Sequence, residues 1–88
     1  MAATYLFEIL TPQKTVYSGR ISSLVGPAAN GFFGILANHA PLVAESSGGK
    51  LKIREESETE RHFEVGPGFF EVLKNRVILL TKKTEPLS

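Results

Sequence analysis

Catalysis needs titratable or nucleophilic side chains that converge on one cleft, and this chain of 88 residues offers few that could do so. It contains no cysteine, which excludes disulfides, thiolate catalysis and cysteine-ligated zinc or iron–sulfur centres. It contains no aspartate either, so a serine triad would have to use glutamate. Ser46 and Ser47 sit beside Gly48 and Gly49 instead of in a nucleophile elbow. The glutamates crowd into Glu55-Glu56-Ser57-Glu58-Thr59-Glu60, which reads as a solvated hairpin end and lacks calcium-loop spacing. Gly66-Pro67-Gly68 leads into a strand, whereas a phosphate loop must open a helix. His39 has no cysteine, carboxylate or second histidine at ligand spacing, and reads as a turn or hydrogen-bonding residue. The pattern supplies no catalytic, cofactor-binding or metal residue.

The informative stretch is Asn30-Gly31-Phe32-Phe33-Gly34-Ile35-Leu36-Ala37-Asn38-His39-Ala40-Pro41-Leu42. Gly31 and Gly34 flank two adjacent phenylalanines, and side chains alternate along a strand, so one ring should leave the core. An exposed ring at a loop tip marks a partner surface more often than chemistry. A second reading stands beside it. Two glycines can make a β-bulge that aims both rings into the core.

The elements that must position this stretch are all extended. Thr4 to Leu10 alternates Tyr5, Phe7 and Ile9 against Leu6, Glu8 and Leu10. Pro12 turns the chain into a long strand from Thr15 to about Val25. Ser18-Gly19 is the expected bend that lets this strand serve two sheets, after which Ile21, Ser23 and Val25 share a face. Asn30-Gly31 has the chemistry of a type I′ turn. Phe33 to Leu36 and Leu42 to Glu45 are short strands, and Ser46-Ser47-Gly48-Gly49 is a break. Lys50 to Arg54 alternates cleanly, as an antiparallel strand with one wet face does. Arg61 to Val65, Phe69 to Leu73 and Val77 to Thr81 complete the set, and residues 82–88 read as a polar tail. No segment keeps helical spacing over ten residues. The expectation is an all-β domain over residues 1–88, a small antiparallel sandwich or flattened barrel of about 8–10 short strands.

Composition limits the partners. A formal charge of +1, with basic and acidic residues interspersed, gives no draw towards nucleic acid. No apolar run approaches the length that spans a bilayer, and Met1 to Tyr5 does not read as a secretory signal.

Taken together, Thr4-Tyr5, Tyr17-Ser18-Gly19, Gly31-Phe32-Phe33-Gly34-Ile35-Leu36, His39-Ala40-Pro41-Leu42, Gly66-Pro67-Gly68-Phe69-Phe70-Glu71-Val72 and Asn75-Arg76-Val77 run in an order that resembles a known family. It is the amino-terminal β-sandwich domain of the epsilon subunit of the F-type ATP synthase, matched over nearly the full length. The resemblance implies a noncatalytic rotor part at the foot of the central stalk, between the gamma subunit and the c-ring. It implies a c-ring interface at Asn30, Gly31, Phe32 and Phe33, and a gamma interface at His39, Ala40, Pro41 and Leu42. It further implies no cofactor and no ATP binding, and membrane contact only through the complex. The place implied is the cytoplasmic face of a bacterial inner membrane or, alternatively, the stromal face of a thylakoid. Phe32 stands where many relatives carry an acid, which implies a more apolar c-ring contact. The family's carboxy-terminal helical hairpin has no counterpart before Ser88, so roles tied to it are not expected. The competing class is a free-standing β-sandwich that binds a soluble protein, and an enzyme is a distant third.

Overall fold

The computed structural model describes residues 3–28 and 31–87. Every regular element in it is a strand: β1 (Tyr5–Leu10), β2 (Thr15–Ala28), β3 (Gly31–Leu36), β4 (Leu42–Ser46), β5 (Gly49–Glu55), β6 (Glu60–Val65), β7 (Gly68–Leu73), β8 (Arg76–Thr81) and β9 (Thr84–Pro86). They form one nine-stranded sheet in the order β4-β7-β8-β1-β2-β5-β6-β9, with β3 also paired to β2. The all-β expectation is borne out.

The sheet closes over itself because β2 changes neighbours along its length. Its first half pairs with β1, from Thr15 to Ile21. Its second half carries β3 on one edge and β5 on the other. The register slips between Ile21 and Ser23 against β5, so Ser22 is the extra residue of a bulge. One extra residue reverses the alternation: Tyr17 and Ile21 face inward before it, Leu24 after it. Val25, expected to share Ile21's face, is therefore turned to solvent. Gly19 is not the bend. A Cβ there would strike the Tyr17 ring, which lies over it.

The interior is one cluster, from Tyr5, Phe7 and Ile9 on β1 to Val77 and Leu79 on β8, with Leu51, Ile53 and Phe63 from the opposite layer. Edge-on aromatic pairs tie the layers together: Phe33 meets Phe70 at 4.9 Å, and Tyr17 meets Phe63 at 5.5 Å. In a chain this short, burial of that one cluster must do most of the stabilising.

Two features depart from the expected architecture. β1 and β8 pair in parallel, with Phe7 opposite Val77 and Ile9 opposite Leu79, so the sheet is mixed. Both flanking ladders are antiparallel, and this one pair joins chain segments too far apart for a hairpin to dictate their direction. The polar tail is also partly ordered. Thr84–Pro86 completes β6 as an edge strand, fixed by Gly66 N–H to Lys83 C=O at 3.0 Å and Leu87 N–H to His62 C=O at 2.8 Å. Pro86 is tolerated because an edge strand leaves one side of its backbone unpaired.

Candidate interaction surface

β3, laddered on β2, and β4, laddered on β7, carry the informative stretch. In the β2–β3 hairpin, Ala28 lies opposite Gly31, Pro27 opposite Phe32 and Gly26 opposite Phe33. Asn30 lies outside the described residues. Gly31 takes φ +125°, a backbone that side chains rarely adopt, which explains glycine there. The ordinary pleat then splits the phenylalanines. Phe33 turns in against Phe70, while Phe32 is 72% exposed. The bulge that would have buried both rings is absent: the β2–β3 register runs without a shift from Ala28 to Ser23.

Beyond Leu36 the chain turns at Ala37-Asn38, where Asn38 takes φ +65°, within reach of asparagine. His39 is half-buried, and its Nδ1–H donates to the Ala40 carbonyl at 2.8 Å. Ala40, Pro41 and Leu42 are exposed, and Leu42 opens β4 opposite Val72. Gly31 and Phe32 thus stand at one end of an exposed margin that follows the chain from β3, beside β2, to β4, beside β7, and His39 to Leu42 stand at the other, with Phe33 supporting it from within.

Sequence reasoning missed two apolar members of this margin, Leu36 at 67% and Val43 at 68% exposure. Strand alternation could have found both, because Ile35 and Ala44, their neighbours in the chain, point the other way. From Gly31 to Ala44 the sequence has no lysine, arginine, aspartate or glutamate. A second apolar area was also missed. Phe69 and Leu80 are paired across β7 and β8 and open, with Leu10 and Pro12, onto a groove of about 610 Å³. Its signal was masked because Val77-Ile78-Leu79-Leu80 is apolar in both phases and reads as buried on both faces.

The charged groups are organised elsewhere. Glu55, expected to be solvated at a hairpin tip, accepts from the Tyr17 hydroxyl at 2.6 Å and from Arg61 Nε at 2.8 Å. The Tyr17 bond, followed by Arg61, holds its carboxyl below the usual range. Burial first, then Glu55, pushes the Tyr17 hydroxyl up. Arg76 grips Glu8 at 2.7 Å, and Glu60 binds both Arg54 and His62. Among the described residues, no group of three histidine, cysteine or acidic side chains is placed to hold a metal ion. What the arrangement offers is a surface.

Comparison with known proteins points the same way. A family model described as the ATP synthase delta/epsilon chain β-sandwich domain matches residues 4–87. The ATP synthase epsilon chain of Chlorobaculum tepidum is 42% identical over 79 residues, covering 90% of this chain and 90% of that protein. The epsilon chain of Leptospira borgpetersenii is 48% identical over 74 residues, covering 84% of this chain but 58% of that longer relative. A chain in the cryo-EM structure of the Euglena gracilis mitochondrial ATP synthase, which includes OSCP, F1 and the c-ring, superposes with a TM-score of 0.90 at 19% identity. That match covers 99% of this chain and 56% of the other, and shows the shared fold.

Proposed function

This chain belongs to the delta/epsilon β-sandwich family of the ATP synthase, as a noncatalytic rotor subunit of that membrane-associated complex, and we propose that it bridges the gamma subunit and the c-ring. In this reading the Gly31–Phe32 end of the margin seats on the c-ring and the His39–Leu42 end faces gamma. Phe33, packed on Phe70, stiffens the c-ring end from behind, and Asn30 adjoins it in sequence. The work is mechanical: c-ring rotation is passed to gamma and so to ATP synthesis in the catalytic head.

The observation that supports it is the uncharged margin itself. Phe32, Leu36 and Val43 are each at least two-thirds exposed on a small domain with no charged side chain between them in sequence. Soluble surfaces that stay wet are interspersed with charge, so an exposed apolar stretch of chain free of charge marks a contact. An aromatic anchor desolvated against a partner also resists slipping under torque better than a rim of screened ion pairs. No helix among the described residues is long and apolar enough to cross a membrane. The proposed place is the cytoplasmic face of a bacterial inner membrane.

The test is recovery of partners from detergent-solubilised membranes using the tagged chain. Gamma, catalytic-head and c-ring subunits should be retained by the wild type. Recovery of soluble partners alone would replace this reading with that of a free-standing binding module.

A further inference from the structure

Among the described residues, β3 is laddered only along its β2 edge. It runs out through Leu36 into the Ala37-Asn38 turn and the irregular His39-Ala40-Pro41 segment before β4 begins. An edge strand that exits this way has no ladder on its outer side to set its direction. A tertiary hydrogen bond adds its constraint to the β2 ladder, which runs as far as Leu36. The Tyr5 hydroxyl donates to the Ile35 carbonyl oxygen at 2.6 Å, and both residues are fully buried.

Tyr5 is itself held firmly. It lies opposite Ile21 in the β1–β2 ladder, and the next residue, Leu6, donates its N–H to the Asn75 carbonyl at 3.1 Å. Tyr5, Ile35, Asn38 and His39 line one small gap together with Asn75 and Arg76, so Tyr5 lies between the β7–β8 turn and the β3–β4 turn. Among the described residues, no other side chain from outside the Ile35–Leu42 run hydrogen-bonds to it. A phenol is already protonated at physiological pH, so the group is a donor there, and burial pushes it further above the ordinary phenol range.

We propose that the Tyr5 hydroxyl is the positioning group of the gamma-facing segment, fixing where Ala37 to Leu42 stands on the sandwich although it touches no partner. The proposal rests on the reading of that segment given above. Removing the hydroxyl takes one bond from the Ile35 carbonyl and loosens the exit of the edge strand, whose β2 ladder remains, while the ring still fills its place in the core.

The experiment compares Tyr5→Phe with Tyr17→Phe in the full chain. Tyr17 also gives a 2.6 Å bond, to Glu55 on the β5–β6 hairpin, and so controls for loss of stability alone. Amide hydrogen exchange and affinity for purified gamma subunit are read for each. In Tyr5→Phe, exchange over Leu36 to Leu42 should rise about tenfold, with β5 and β6 unchanged, and gamma affinity should fall about tenfold. Tyr17→Phe should do neither. Wild-type exchange in Tyr5→Phe, or equal loss of affinity in both variants, overturns the proposal. If the wild type itself does not bind gamma, the reading of the segment fails and the docking role falls with it. If the wild type and Tyr5→Phe both bind equally well, only the role of Tyr5 fails. Should Tyr5→Phe not fold, the wild type still decides: a slowly exchanging hydroxyl proton with nuclear Overhauser contacts to Ile35 or Leu36 is expected, and its absence sinks the assignment.

Discussion

The β3–β4 margin and the β5–β6 hairpin belong to one sheet, β5 beside β6 but β3 beside β2 and β4 beside β7, and they meet water in opposite ways. In β5 the outward residues are Lys50, Lys52 and Arg54, and the inward ones are Leu51 and Ile53. Its partner β6 supplies Glu60 to Arg54, while β9 covers the outer edge. In β3 the outward residues are Phe32, Gly34 and Leu36, and only the β2 edge is paired. Natural sheets blunt free edges with charge, proline or a covering element. The hairpin uses two of these devices and the margin uses neither within β3. The hairpin is therefore finished as an isolated domain, whereas the margin is finished only when something covers it.

The largest effect should come from breaking the hairpin's inner face. Leu51 is fully buried beneath the wet outer face of β5. Leu51→Asp would place an unpaired carboxylate in the core, and a loss of more than about 4 kcal/mol should leave the chain unfolded. Lys52→Asp, one residue along, should stay within about 0.5 kcal/mol of the wild type. Urea melts check both. Equal loss in the two would mean the alternation does not set the inner face.

Phe32→Asp is the corresponding attack on the margin and should have the reverse profile. Stability should change by no more than about 0.5 kcal/mol, because the ring is largely in water. Retention of c-ring subunits should fall at least about tenfold, since the new carboxylate must be stripped of water at an apolar contact. A urea midpoint that fell as far as that of Leu51→Asp would make Phe32 a core residue and end the interface reading.

The same contrast explains what was legible in the sequence. Lys50 to Arg54 was plain because one face is wet and one is dry, so composition records the fold directly. The split between Phe32 and Phe33 was half legible: the pleat demanded it, but two glycines kept a bulge open. The bulge at Ser22 was hidden because Ser22 and Ser23 carry no hydrophobic signal, whereas at Gly19 the glycine answers to the ring above it. The parallel pairing of β1 with β8 and the addition of β9 to β6 are tertiary choices. Nothing local in Thr84-Glu85-Pro86 favours a strand. Its order comes from an open edge.

A smaller effect probes the charge that does lie within the fold. Glu55 has its carboxyl held below the ordinary value of about 4.3, first by the Tyr17 hydroxyl and then by Arg61. A depressed folded value stabilises the protein above the unfolded value, and that stabilisation is lost as pH falls through the folded one. Because the pair sits at the solvent margin, Glu55→Gln should cost no more than about 1 kcal/mol at pH 7. The gap between variant and wild type should begin to close below about pH 4. A gap that held constant through acid titration would show that the charge on Glu55 contributes nothing to the fold.

The smallest expected effect is a response to salt, and it bears on the comparison most directly. Surface charges are screened beyond about 10 Å at 0.1 M ionic strength and beyond about 3 Å at 1 M, so a contact made by the β5–β6 face would weaken steeply with salt. The margin has no lysine, arginine or acid between Gly31 and Ala44 and so has no formal charge to screen, provided His39 is neutral. Apolar burial, in contrast, is not weakened by moderate salt. Affinity of the chain for c-ring and gamma should therefore change less than about twofold between about 0.05 M and 0.5 M potassium chloride. If affinity fell more than about tenfold, ion pairs would be carrying the contact. The docking surface would then have to be moved from the uncharged margin to the lysine-bearing face of β5.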